Sequence, residues 1–139
     1  MISNPVFWAV LFAGAIAQLV KISIFIVKHH QEFHLADLFV TGGMPSSHSA
    51  LVVALVVSLF MTEGISNLFI LSAVLAAITL RDAMGVRRTA GEEGRIIHQM
   101  IRKLKLKVPE YHYALGHKPE EVLAGSVIGA LAGFIVILI

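Results

Sequence analysis

Val122-Leu-Ala-Gly-Ser-Val-Ile-Gly-Ala-Leu-Ala-Gly-Phe-Ile-Val-Ile-Leu-Ile139 carries no charge, and its most polar side chain is a single serine. A helix needs roughly 20 apolar residues to cross the hydrocarbon of a bilayer, and about 17 can suffice. A helix on the surface of a soluble protein would place charges on its solvent face throughout such a run. Upstream the pattern recurs. Pro5–Val27 is broken only by Gln18, Lys21 and small polar residues, Ser49–Met61 by Ser58, and Ile65–Leu80 by Ser66, Asn67, Ser72 and Thr79. The two middle blocks reach spanning length if Ser46–His48 start the second helix and Arg81–Met84 end the third. Composition agrees: 57% of residues are hydrophobic and 14% charged, against about a quarter charged in soluble domains. The expected fold is an all-α integral membrane protein. It forms one domain over residues 1–139, with about four transmembrane helices and one or two interfacial amphipathic helices.

Charge sets the expected orientation. Eight of the eleven basic residues, Arg87, Arg88, Arg95, Arg102, Lys103, Lys105, Lys107 and Lys118, fall between Gly85 and Lys118. The positive-inside rule places that loop in the cytoplasm. With four spans, both termini then lie outside, and the loop His29–Met44 shares the cytoplasmic face. The start of the chain has no basic region and no small-residue cleavage site, so no cleavable signal peptide is expected. Anionic headgroups account for the positive excess, and no nucleic-acid partner is needed. Within the basic loop Ile96, Ile97, Met100, Ile101, Leu104 and Val108 recur at helical spacing, with Arg95, Gln99, Arg102 and Lys103 on the other face. This predicts a helix lying in the membrane interface. A shorter amphipathic piece runs from Phe33 to Phe39. Cysteine is absent, which excludes a disulfide framework and a thiol nucleophile.

Three further stretches carry groups that membrane insertion alone does not explain. Gly42-Gly43-Met44-Pro45-Ser46-Ser47-His48-Ser49-Ala50 turns a polar loop into an apolar helix. The glycines free the backbone, Pro45 suits a first helical turn, and amides, hydroxyls and an imidazole gather at the positive end of a helix dipole. Such a turn can cradle phosphate, and it can equally be a serine-capped helix start. Lys21 sits inside an apolar block with Gln18 one turn before it. It either snorkels to the interface or points inward at an anion. Asp82, Arg87 and Arg88 close the third block. Arginine suits a helix end, and its planar fork suits phosphate oxygens. In Gly116-His117-Lys118-Pro119-Glu120-Glu121, Pro119 fits a first helical position and the glutamates its first turn. A carboxylate four residues after His117 could hold one ring nitrogen and leave the other free to attack. Beyond it, Gly125, Gly129 and Gly133 suit close helix packing in lipid.

Together these motifs resemble a family. Pro45-Ser46-Ser47-His48 is similar to the P-S-G-H motif of the type-2 phosphatidic acid phosphatase superfamily, and His117-x3-Glu121 to its H-x3-D element. The whole chain resembles the divergent branch of that superfamily, small membrane proteins of bacteria and plants. The matching pieces are Gln18-x2-Lys21, Thr41–Ala50, Asp82–Gly91 and Leu115–Val122. The resemblance implies a membrane phosphatase acting on a phosphorylated lipid through a phosphohistidine, without a metal or other cofactor. It implies His117 as nucleophile, Glu121 as its orienting carboxylate and His48 as general acid and base. Lys21, Ser46, Ser47, Arg87 and Arg88 would hold phosphate, supported by Gln18, Gly43, Pro45, Asp82 and Gly116. Membrane lipids would be the partners, and a homo-oligomer is compatible with the sequence. The chain departs from the superfamily in three places. Lys21 stands without the Arg-Pro that would complete the first motif, Tyr111 occupies the position of the arginine six residues before the histidine, and Glu121 replaces aspartate. The alternative these departures suggest is a non-catalytic protein that binds anionic lipid or phosphate in a degenerate pocket.

Overall fold

The computed structural model describes residues 4–29, 43–106, 108 and 116–139, and the side chains of residues 28 and 29 are outside that description. The Phe33–Phe39 piece, Thr41, Gly42, Lys107 and Tyr111 therefore lie outside the described residues. The chain forms five helices there: α1 (Pro5–His29), α2 (Ser47–Glu63), α3 (Asn67–Met84), α4 (Val86–Leu104) and α5 (Pro119–Leu138). Three apolar stretches are long enough to cross a membrane; they lie in α1, α3 and α5. The fourth apolar helix, α2, has 17 residues and rises about 26 Å, close to the hydrocarbon thickness of about 30 Å.

Side-chain size, more than polarity, separates inside from outside. Among the described residues the buried hydrophobics are alanines at every position but Leu59 and Val122. Phe7, Leu19, Leu71, Ile78, Leu123 and Phe134 all face outward. In water this arrangement would leave most of the apolar surface solvated. In a bilayer lipid solvates it, and helices associate through close contact of small residues. The molecule is an all-α integral membrane protein.

The small residues form stripes at a spacing of four. Ala9, Ala13 and Ala17 of α1 are fully buried, as are Ser46, Ala50, Ala54 and Ser58 at the start of and along α2. Gly125, Gly129 and Gly133 of α5 lie directly against the second stripe. A methyl group on Gly125 would run into the carbonyl oxygen of Ser46, and one on Gly129 into that of Ala50. At Gly133 it would lie 3.0 Å from the carbonyl oxygen of Ala54. Since the numbers rise together, α2 and α5 run parallel. They form the most extensive helix pair, with α1 packed on both and α3 beside α2. Buried hydroxyls are satisfied within their own helices, as where Ser58 donates to the Ala54 carbonyl at 2.6 Å.

Two expectations need correction. Pro45 does not occupy the first helical turn. Ser46 is the N-cap, with extended φ and ψ of −74° and 112°. Its Oγ accepts from the Ser49 amide, so Pro45 precedes the cap. Nor do Arg87 and Arg88 close α3. Gly85 ends that helix with its N–H on the Arg81 carbonyl at 2.8 Å, and α4 starts at the next residue. The arginines therefore occupy the first turn of a separate helix.

Candidate active site

Topology brings three helix starts to one end of the bundle. α2 and α5 run parallel away from it, α1 and α3 finish there, and α4 begins there. Each helix start carries the positive end of a dipole, so the end as a whole favours an anion.

α5 fixes the first histidine. Pro119 opens the helix, and Glu121 in its first turn reaches back to the Lys118 amide at 3.2 Å. The same carboxylate oxygen lies 3.0 Å from Nδ1 of His117. The His117 N–H bonds the Ala83 carbonyl at 3.0 Å, which ties the residue to the end of α3. Gly116 permits this approach, because a Cβ there would overlap the backbone of Arg87 and Arg88. His117 is 6% exposed. With Nδ1 held by a carboxylate, Nε2 is the ring nitrogen left for chemistry.

α2 brings the second histidine. The Ser46 N–H bonds the Glu121 carbonyl at 2.9 Å, so the cap of α2 and the first turn of α5 are joined directly. His48, in the first turn of α2, remains exposed. The groups whose electrostatics bear on its ring are Arg87, His117, Lys21 and Asp82. Lys21 lies four residues beyond Ala17, in line with the buried alanine stripe of α1, and it interacts electrostatically with Glu121. Electrostatic interactions thus link the two histidines, Lys21, Glu121 and Arg87, and His117 and Glu121 are in direct contact.

The remaining candidates fall around this centre. Arg87 Nε pairs with Asp82 at 2.6 Å across the Gly85 break, while Arg88 Nε pairs with Glu92 at 3.2 Å one turn along α4. The arginine that bears on His48 is thus also the one that holds Asp82. Arginine at a helix N-terminus opposes the dipole, and each of these two is balanced by a carboxylate. The Ser46 hydroxyl is fully buried and accepts from both the amide and the hydroxyl of Ser49. It shapes the turn and leaves Ser47, which is half-buried, as the hydroxyl able to meet a ligand. Gly43 has a φ of +82° with open space around it, a backbone suited to glycine. Pro45 is buried, and Gln18 is half-buried on α1.

A profile described as the divergent PAP2 family matches residues 2–132. The chain belongs to the divergent PAP2 family. It is 38% identical over 138 residues to the uncharacterized membrane protein YuiD of Bacillus subtilis (strain 168), covering 87% of this chain and 86% of that one. No solved structure matches it. In this divergent PAP2 chain two supporting groups escaped the sequence. Ser49 completes the cap, and its Ser-x-x-Ser spacing was a readable signal. The Ala83 carbonyl anchors His117, and a backbone partner leaves no mark in sequence.

Proposed function

We propose that the protein is a membrane phosphatase that hydrolyses a phosphorylated lipid through a phosphohistidine. The observation that carries this reading is the pair of buried His117 and half-buried Glu121, set beside His48, Lys21 and Arg87 where three helices begin. Nε2 of His117 attacks phosphorus, and the bond from phosphorus to the lipid oxygen breaks. Glu121 holds the Nδ1 proton and stabilises the charge that develops on the ring. His48 gives its proton to the departing oxygen, then takes one from the water that attacks the phosphohistidine, releasing phosphate and restoring His117. Lys21, the outer nitrogens of Arg87 and the amides at Ser47 and His48 balance the charge on the phosphoryl oxygens. Phosphoryl transfer depends chiefly on such positioning and electrostatics. In this scheme side-chain cations supply the positive charge, and no step is assigned to a metal.

Phosphatidic acid, phosphatidylglycerol phosphate and polyprenyl phosphates or diphosphates all suit a charged site at the end of apolar helices. The basic charge at that end supports an inner-membrane protein with its site toward the cytoplasm and both termini outside. A second reading, a non-catalytic binder of anionic lipid or phosphate, is favoured by Arg87 being already paired with Asp82. Purified protein in detergent, offered these lipids, tests the two. Phosphate release that is lost in His117→Ala supports the phosphatase. Lipid binding without release in the wild type supports the binder.

A further inference from the structure

α4 consists of two different halves. Its first half belongs to the site. It carries Arg87, its backbone at Arg87 and Arg88 is what Gly116 presses against, and its buried residues, Gly91 and Gly94, both lie there. Glu93 then interrupts the apolar arc. From Ile96 onward the arc is continuous, and Ile96, Ile97, Met100 and Leu104 are between 48% and 68% exposed. Among the helices α4 packs against α3 alone. At 3.6 residues per turn Arg95 and Arg102 lie opposite this arc and Lys103 at its border. Lys105 follows as the C-cap, and no acidic residue lies between Arg95 and Leu106.

We propose that the second half of α4 docks on the anionic leaflet at the membrane surface, and that docking tightens the joint that positions His117. The occupant follows from charge and placement. α4 follows the membrane-spanning α3 after Gly85 alone, so its first turn is tethered at the membrane and the exposed arc follows on the same helix. Four basic residues without a compensating acid suit anionic headgroups rather than a neutral surface. The coupling follows from the joint. Gly85 separates α3 from α4, and the His117 amide is bonded to Ala83 on one side of it while Gly116 packs on Arg88 on the other. Holding α4 against a surface therefore holds both halves of the seat of His117. This inference concerns α4 and the joint, and it does not depend on turnover.

The chain contains no cysteine, so Met100→Cys gives a single labelling site for an environment-sensitive fluorophore. Full-length labelled protein would be placed in nanodiscs of phosphatidylcholine with and without phosphatidylglycerol. Phosphatidylglycerol should shift the emission to the blue. It should also slow hydrogen exchange severalfold over residues 84–90 and at the His117 amide. Raising salt to about 0.5 M, which shortens the screening length to roughly 4 Å, should reverse both effects. Arg102→Gln, Lys103→Gln and Lys105→Gln combined should weaken docking roughly a hundredfold. Equal burial of the label in neutral and anionic discs would overturn the docking. So would label burial that follows protein concentration, which would make a second copy the occupant. Docking without any change in exchange at the joint would overturn the coupling. Phosphate release measured separately reports on the phosphatase reading, so the two can fail independently.

Discussion

The α2–α5 interface and α4 use opposite means to present a charged group. Along α2 and α5 backbone meets backbone. Glycine faces a carbonyl at Gly125 and Gly129, and little can move without disturbing Ser46 and Glu121. α4 holds Arg87 on a helix whose large apolar side chains are open and which packs against one neighbour. The difference separates the two parts of the site. The groups proposed to make and break bonds stand on a parallel pair packed along its length, whereas Arg87, proposed to steady charge, stands at the packed foot of a helix whose far half is open. Close packing transmits small displacements, and an exposed amphipathic surface absorbs them.

The sharpest way to break this contrast is at Gly125. The Cβ of Gly125→Ala would overlap the Ser46 carbonyl, a backbone atom that no rotamer change can move aside. Overpacking of this kind typically costs about 1–3 kcal/mol and sometimes more. The loss should appear in thermal unfolding in detergent and should separate the Ser46–Glu121 bond as well. Gly125→Leu should not yield folded protein. If Gly125→Ala unfolds like the wild type, the interface is looser than its geometry indicates.

Much of this rigid half was legible beforehand. Long uncharged runs marked the helices, Pro119 marked the start of α5, and glycines four apart marked its packing face. The matching stripe Ala9-Ala13-Ala17-Lys21 has the same spacing but does not stand out in the sequence, because alanine in an apolar run carries little contrast. α4 was harder to read. Arginines in a first helical turn contradict the dipole rule, so Arg87 and Arg88 looked like the end of α3. Their compensation by Asp82 and Glu92 is visible only when the helix is built. Which of the two serines faces a ligand was also hidden, since Ser46 and Ser47 differ only in their place relative to the cap.

At Glu121 the question is whether the rigid half is also the chemical half. Glu121→Gln keeps the main-chain carbonyl that receives the Ser46 amide, so the fold should persist. It removes the negative charge beside Nδ1 of His117. Turnover should fall by about 10²-fold or more, because the charge that develops on the ring loses its electrostatic partner. Phosphoenzyme should form correspondingly slowly. Glu121→Asp restores the superfamily's usual residue with an arm one methylene shorter and should lose less. Equal unfolding midpoints for the wild type and both variants would assign the loss to chemistry. An unchanged rate in Glu121→Gln would remove the pair from the mechanism.

Arg87 and Arg88 test the foot of α4. Arg87 bears on His48, whereas Arg88 pairs along α4 with Glu92 in an exposed contact. Removing a donor that meets developing charge costs about 10²-fold or more. An exposed ion pair is worth at most about 1 kcal/mol, so Arg88→Ala should change turnover by about fivefold or less. Arg87→Lys should recover only part of the loss, since an ammonium cannot bond Asp82 and phosphate with a planar fork. Equal and small effects at both positions would reduce the pair to an anchor for α4.

The smallest effect is expected at Ile97. Its side chain is 49% exposed on the open arc of α4, so Ile97→Ala removes apolar surface that the bundle does not cover. In detergent the change in stability should stay within about 0.5 kcal/mol, as for surface substitutions away from packed features. Alanine also has the higher helix propensity, which offsets part of the lost contact. Had the same side chain been packed in a core, truncation would cost about 2–5 kcal/mol. The gap between those ranges is wide enough to resolve by thermal unfolding. A loss of 2 kcal/mol or more would mean that the arc is covered within the protein, and α4 would then belong with the rigid half of the molecule.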